Sequence, residues 1–408
     1  MSLSYFFWNF IAWIAEQSEK QEIRTLYFFT REGEFFKKLY DVWRRQSSFG
    51  KSMPQAKVAE VSRMSVYLPS MQKITIEELN RIWIRYPVQS METLCRTLSV
   101  DINQIKGILK TYGIREQEYI RQPWKDSRIR SLFQDKAFVA WLEKQRDDSR
   151  TLLYAYLEQI GWSRSAKNKI GIVDIGWRGS IQDSLCRLYP ERKIIGFYIG
   201  LQPFLVKQPA NAVKYGYING YKNKDAMLLT VRPLEMLCNS RYGSVQGYRL
   251  QSGRVVAIRK TDVCENKVYE SYSCKMQKKI WADRYTCLRL MKHCGRRSDK
   301  NRAARSLYRF LAYPDRRSTA AYFTLRHNEE FGMGKYIDLR ADFRPDLFGM
   351  AVFCKKGRKK LKEMLRQTAW PQGYLVRFWM YPLLIPYNCL LRSYLKKKQS
   401  RQEPSSLV

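Results

Sequence analysis

Through the first 200 residues, short unbroken apolar runs alternate with stretches whose apolar positions recur every three or four residues. The first segment, Tyr5 to Ser18, reads as an amphipathic helix. Thr25 to Phe29 is a short apolar run of strand character, broken by Arg31-Glu32-Gly33. Phe36, Leu39, Tyr40 and Trp43 then stand at i, i+3, i+4 and i+7, one face of a helix. Lys57 to Ser62 has the composition of a second strand. From Ile76 to Trp162 the period is mostly helical, with helices predicted over Glu77–Tyr86, Met91–Leu98, Ile102–Tyr112 and Phe138–Ile160. Ile170 to Ile175 predicts a buried strand, Ser180 to Tyr189 the helix after it, and Ile194 to Leu201 a further strand. Beyond about Leu250 the chain turns basic and helical.

Strands alternating with helices predict a parallel sheet with crossover connections. The expected fold is α/β: a Rossmann-like parallel sheet with a helical insertion and a basic, largely helical C-terminal region. Residues 1–75 and 163–250 would form the two parts of the α/β core. Residues 76–162 would be the insertion, 251–395 the basic region and 396–408 a disordered tail. Tyr374 to Leu391 is long enough for a membrane span, but Arg377, Pro382, Pro386 and Asn388 interrupt it. It predicts a buried or interfacial segment instead.

A chain of 408 residues can bury a sizeable core, and 14% aromatic content marks one that folds. Lys and Arg number 74 against 37 Asp and Glu, a formal charge of +37. Such an excess implies anionic partners: nucleic acid, an anionic membrane surface or a phosphorylated small molecule. Charge alone does not choose among them. The nine cysteines never fall as C-x-x-C, and only two histidines could join them, so no zinc site is predicted. A reducing compartment is the simplest expectation. Phe6 to Ile14 has neither the basic flank nor the cleavage site of a signal peptide.

In a parallel α/β sheet, ligands bind outside the carboxyl ends of the strands, where helix N-terminal amides can hold an oxyanion. Two turns put small or charged residues at such ends. In Ile170-Gly171-Ile172-Val173-Asp174-Ile175-Gly176-Trp177-Arg178-Gly179-Ser180, Asp174 ends the strand, and Gly176 and Gly179 permit a tight loop. Ser180 with Asp183 has the capping-box pattern. Together these suit a phosphate cradle with one carboxylate beside it, for ribose hydroxyls or a metal; a plain turn capped by Asp174 fits the same residues. In Thr30-Arg31-Glu32-Gly33, Arg31 could hold a phosphate bidentately and Gly33 would bring the helix close to the ligand, or Arg31 and Glu32 form a surface pair. Arg63 follows another strand end as a third cation or a solvated one, and Glu235 and Asn239 are weaker candidates.

These residues carry a resemblance. Leu26-Tyr27-Phe28-Phe29-Thr30-Arg31-Glu32-Gly33 and the following helix up to Asp41 resemble an LYFLSRDG…Y signature. Val173-Asp174-Ile175-Gly176-Trp177-Arg178-Gly179-Ser180-Ile181-Gln182 resembles its VDIGWxGSxQ partner. Both belong to bacterial surface-polysaccharide biosynthesis proteins whose phosphoribosyltransferase-like domain lies beside a HAD-type phosphatase domain. Ser62-Arg63 and Glu235…Gly243-Ser244-Val245…Gly247-Tyr248 look like that family as well, and the likeness covers roughly residues 1–250.

The resemblance implies a transferase moving a 5-phosphoribosyl unit from phosphoribosyl pyrophosphate to a polysaccharide or lipid-linked sugar acceptor. Mg²⁺ would come with the diphosphate, and a phosphatase would be a partner. Asp174, Arg31 and Glu32 would be catalytic; Gly33, Arg63, Gly176, Arg178, Gly179 and Ser180 would bind substrate; no metal would be ligated directly. The chain departs from the usual enzymes of this type in carrying Asp174 alone, between Val173 and Ile175, where they have two adjacent acidic residues. The alternatives are a HAD-like phosphatase, whose second Asp two residues after the first is missing at both turns, and a nucleic-acid-binding protein. Nucleic acid is disfavoured, because no zinc-finger or RNP signature is present. The expected location is cytoplasmic, peripheral on the inner face of the cell membrane, with the aromatic and basic stretch from Trp370 to Lys398 facing anionic lipid.

Overall fold

The computed structural model describes residues 2–46, 53–163, 168–293, 299–329 and 335–400. Cys294 and residues 401–408 of the expected disordered tail lie outside these. Helix α1 (Leu3–Lys20) precedes strand β1 (Thr25–Phe29) and helix α2 (Glu32–Gln46). β2 (Gln55–Ala59) leads to the short α3 (Arg63–Tyr67). The insertion holds α4 (Ile76–Trp83), α5 (Met91–Leu98), α6 (Lys106–Thr111), α7 (Ser127–Leu132) and α8 (Lys136–Gln159). Two-residue strands β3 (Val88–Gln89) and β4 (Ile120–Arg121) pair within it. The core resumes with β5 (Ile170–Asp174), α9 (Ser180–Leu188), β6 (Ile194–Tyr198) and β7 (Ala212–Gly216). Then come α10 (Lys224–Leu229), α11 (Arg232–Cys238) and a hairpin of β8 (Val245–Gln251) and β9 (Arg254–Arg259).

The main sheet has five strands in the order β2-β1-β5-β6-β7, and every pair is parallel. The fold is α/β and Rossmann-like, as the alternation predicts. The chain leaves β1 for β2 on one side and returns to β5 on the other. The carboxyl ends of β1 and β5 therefore border a topological switch point, where open α/β sheets bind ligands. Gly171 in β5 is opposite Leu26 of β1. A Cβ there would lie 2.6 Å from Ile23 and 2.8 Å from Leu26 side chains, so only glycine lets the two strands pack this way.

Alternate residues of the strands feed two cores. Leu26, Phe28, Val173, Ile195 and Phe197 face α1 and α2. Tyr27, Phe29, Ile172, Ile194 and Tyr198 face α8, α9 and the hairpin. The insertion has its own cluster around Trp83, Leu94, Leu109 and Phe138.

The expected amphipathic first helix is a correction. α1 is apolar on nearly every side, with Tyr5 to Ile14 all buried. Such a helix must be covered all round. One side packs on the sheet, and the other lies under α13 (Cys274–Ala282), α14 (Arg284–His293) and α15 (Lys300–Ala312), which come after α12 (Val263–Val268). Its few polar groups bond to these helices. Ser4 donates to Asp283 at 2.6 Å, Trp8 to the Ile280 carbonyl at 3.2 Å, and Asn9 accepts from the Asp299 amide at 2.9 Å.

Three further expectations change. Residues 254–259 are strand, not helix: Val255 and its neighbours alternate against the second core, and a local period of two outweighs basic composition. β7 is a sheet strand that the sequence reading passes over, because its residues are only half-buried and mixed in polarity. After α16 (Arg316–Tyr322) and a hairpin of β10 (Arg326–Glu329) and β11 (Lys335–Asp338), the chain is helical to the end of the described region. α17 (Pro345–Phe353), α18 (Lys355–Gln367) and α19 (Pro371–Arg377) are followed by α20 (Leu384–Ser400), which continues into the expected tail. Among the described residues no helix is long and apolar enough to cross a membrane.

Trp13 is fully buried against Phe10, Phe197 and Tyr217, at the junction of α1, β6 and the β7 edge. Trp13→Ala should cost about 3–5 kcal/mol, the range for emptying an aromatic core site. Urea unfolding followed by fluorescence and circular dichroism checks it; a loss below about 1 kcal/mol would mean that α1 does not join the two halves.

Candidate functional site

A cleft opens at the carboxyl ends of β1 and β5. Its walls include Thr30, Arg31 and Glu32 after β1, Arg63 after β2, and Asp174 to Arg178 after β5. Its volume is about 170 Å³, far above the roughly 10–15 Å³ that one water needs, so it can take a ligand of many atoms. Glu32 and Ser180, the first residues of α2 and α9, both line it. Both helix N-termini thus open on the cleft, and their unpaired amides favour negative charge there.

Seven of the nine expected site residues meet here: Arg31, Glu32, Arg63, Asp174, Gly176, Arg178 and Ser180. Gly33 and Gly179 do not line the cleft. A Cβ on Gly33 would sit 2.8 Å from the Phe28 carbonyl carbon, so this glycine lets α2 approach β1 and not a ligand. Gly179 caps α9 with φ at +65°, and a Cβ would meet the Tyr198 hydroxyl at 2.6 Å and Lys214 at 2.9 Å. Packing and backbone conformation set it. The expected capping box is also absent. Ser180 is already helical, and Asp183 turns to Lys214, whose Nζ lies 2.6 Å from Oδ1. Lys214 donates as well to the Arg178 carbonyl at 2.8 Å, which holds the loop in place.

Arg31 does not stand open for a phosphate in the way expected. Its guanidinium lies 3.4 Å from Glu265 and 3.5 Å from Glu32. Burial works against the charge, but Glu32 and Glu265 outweigh it, so the arginine is held above its ordinary pKa and stays cationic. Glu265 lies on α12 and also accepts from Asn239 at 2.9 Å. Asn239 is thus a support behind the wall, not part of it. Glu235 does line the cleft; it accepts from the Trp177 indole at 2.7 Å and pairs with Arg232 at 3.3 Å. Arg63 donates to the Tyr86 hydroxyl at 3.3 Å, and Arg178 to the Pro203 carbonyl at 3.1 Å.

Asp174 is buried, and its Oδ1 accepts from the Ile175 amide at 2.8 Å. Burial pushes its carboxyl up to about 7, and the nearby Glu32 carboxylate adds to this. The Ile175 bond, Arg63 and Arg31 pull the other way and are weaker. Near neutral pH Asp174 can therefore give or take a proton.

The sequence reading misses Arg85, Arg232, Lys260, Asp262 and Glu265, all on the cleft wall. Asp262 caps α12, accepting from Cys264 and Glu265 amides at 2.8 and 3.2 Å. An Asp with a Glu three residues on was a legible helix start. Its place at the cleft was not, because the hairpin brings it there from beyond residue 250. The full wall has six cationic side chains and five carboxylates, so it is a mixed site and not the basic cradle with one carboxylate that the two turns predict. No cluster of three or more His, Cys, Asp or Glu that could hold a metal ion occurs among the described residues. Comparison with protein-family models finds none that matches this chain, and comparison with curated proteins finds none either.

The raised carboxyl makes a signed prediction. Folded Asp174 keeps its proton at pH values where the unfolded chain has lost it. The stability this contributes is full below about pH 4 and is lost as pH rises through about 7. Asp174→Asn lacks the titration. Relative to the native chain its melting temperature should rise by roughly 2–5 °C between about pH 5 and pH 8. The same offset at both pH values would show a carboxyl that titrates like a solvated one.

Proposed function

We propose that the chain is a glycan-modifying transferase that moves a 5-phosphoribosyl unit from phosphoribosyl pyrophosphate to a sugar hydroxyl on a polysaccharide or lipid-linked acceptor. One observation carries this reading. Two strand-to-helix turns that are far apart in sequence converge on one cleft at the switch point, with helix N-termini and arginines beside carboxylates. Cations and amides suit phosphate oxygens, and carboxylates suit the hydroxyl groups of a sugar.

In this reading Arg63 and the α9 amides hold the donor phosphates. Arg31, kept cationic by its two carboxylate partners, faces the developing charge of the leaving group. Mg²⁺ would enter with the diphosphate as part of the substrate and would spread the same charge. The bond from the anomeric carbon to the pyrophosphate oxygen breaks, and pyrophosphate keeps the electron pair. The acceptor oxygen bonds to that carbon, and its proton passes to Asp174, whose pKa near neutrality fits a general base. The work would be done in the cytoplasm, at the inner face of the membrane where lipid-linked sugars are met, and a separate phosphatase would remove the remaining phosphate.

A HAD-like phosphatase reading is weaker, since Asp174 is followed at the second position by Gly176 and not by another Asp. Calorimetry with phosphoribosyl pyrophosphate and a pyrophosphate-release assay with glycan acceptors decide between them. Arg63→Ala should weaken donor binding about 10- to 100-fold, the effect of losing a charge-assisted bond of roughly 1.5–3 kcal/mol. Asp174→Asn should leave donor affinity within about three-fold and slow release at least about ten-fold. A native chain that does not bind the donor, or that frees inorganic phosphate instead, overturns the transferase reading.

A further inference from the structure

The C-terminal helices carry an apolar surface that the core does not use, and only part of it lies in the stretch the sequence marks. Trp370 and Tyr374, at the start of the aromatic and basic stretch, are buried in the main core. The exposed apolar side chains lie on either side of them. α17 ends on Met350, Val352 and Phe353, and the last two are 72% and 88% exposed. Lys355 and Lys356, also exposed, follow after Cys354. On α20, Ile385, Cys389, Leu390, Tyr394 and Lys397 are exposed while Leu384 and Asn388 are buried. Leu390, Tyr394 and Lys397 fall within about 60° of one another around the helix and form one face, while Ile385 points about 140° away from Leu390. Ile385 and Leu390 are 65% and 70% exposed.

α18 links the two. The Lys362 Nζ sits 5.2 Å from the centre of the Tyr394 ring, so the exposed sides of α18 and α20 meet. From Lys355 to Gln367 this helix has seven Lys or Arg against one Glu, and only Gly357 and Leu365 are buried in it. Exposed apolar side chains on neighbouring helices mark an interaction site. Here they are framed by cations.

We propose that this surface docks the protein on an anionic lipid bilayer. Val352, Phe353 and Leu390 enter the boundary between headgroups and acyl chains, and the α18 lysines lie over them on the lipid phosphates. Charge complementarity selects the occupant. A second copy of the chain, related by two-fold symmetry, would set one basic helix near another. Nucleic acid would satisfy the lysines but would leave exposed aliphatic side chains against a polar partner. A bilayer with anionic headgroups satisfies both kinds of group at once, and long lysine stems reach from the apolar level to the phosphates. This surface stands apart from the cleft, and the inference does not rest on the chemistry proposed there.

Flotation of the full chain tests it, with vesicles of phosphatidylcholine alone and of phosphatidylcholine mixed with phosphatidylserine. The native chain should float with the anionic vesicles and much less with the neutral ones. Phe353→Asp combined with Leu390→Asp should reduce the bound fraction about ten-fold or more. Lys359→Glu with Lys360→Glu should do the same at low salt. All four positions are exposed, so circular dichroism should match the native chain. Pyrophosphate release with a soluble acceptor should be unchanged in both variants, which separates failure at this surface from failure at the cleft. Three results would overturn the proposal: no flotation with either vesicle, binding that ignores the apolar substitutions, or a native chain that is dimeric without lipid and becomes monomeric with Phe353→Asp.

Discussion

The pairing of β1 with β5 is the contact on which the site depends. The two strands are separated by the whole insertion, yet Leu26, Tyr27 and Phe28 run parallel to Gly171, Ile172 and Val173. Parallel pairing puts both carboxyl ends at the same edge of the sheet. Arg31 and Glu32 after one strand then stand beside Asp174 after the other. The absence of a side chain at Gly171 makes the approach feasible, since Ile23 and Leu26 fill the space a Cβ would need. A sheet buried on both faces must also be covered on both. α1 and α2 do this on one side, α8 and α9 on the other, and the need to cover α1 in turn draws in the helices after residue 262.

That same requirement explains the electrostatics. Bringing α11, the hairpin and α12 against the end of the sheet adds Glu235, Asp262 and Glu265 to a wall that would otherwise be basic. Cations in a partly dry cleft need such partners, because unpaired burial of charge is costly. The +37 balance of the chain therefore says little about its cleft, which is close to neutral. The excess lies elsewhere, above all on α18. One carboxyl among the five is set apart. Asp174 sits at the strand end, and burial with Glu32 close by holds its carboxyl at about 7 while Arg31 beside it stays charged. Both groups are pushed up, so near neutral pH the carboxyl can exchange its proton while the guanidinium keeps its charge.

The two turns were legible because both carry local signals: an apolar run that stops, a charged residue at the stop, and a helix period that starts again. β1 ends at Phe29 as the pattern predicts, and β5 and α9 differ from their predicted bounds by one residue at one end. The roles of the glycines were not legible in the same way. Gly33 and Gly179 look like places for a ligand, and each is occupied by protein instead: Phe28 against one, Tyr198 and Lys214 against the other. Sequence marks a position where a side chain is unwelcome but does not say what stands in the way.

What the sequence by itself determined is the alternation of strands and helices in the core as far as β6, the parallel character of the sheet and the position of Asp174 at a strand end. Each follows from periodicity and steric rules acting over a few residues. The tertiary structure alone decided that Arg31 is shared between Glu32 and Glu265, that Asp183 belongs to Lys214 and that α1 is buried from Ser4 to Ala15. It also decided that Phe353 and Leu390 face solvent while Trp370 does not. The reason is the same in each case. An ion pair or a buried face is a relation between side chains whose separation ranges from one residue for Arg31 and Glu32 to the 234 between Arg31 and Glu265, and its partner is chosen by the packing of the whole chain.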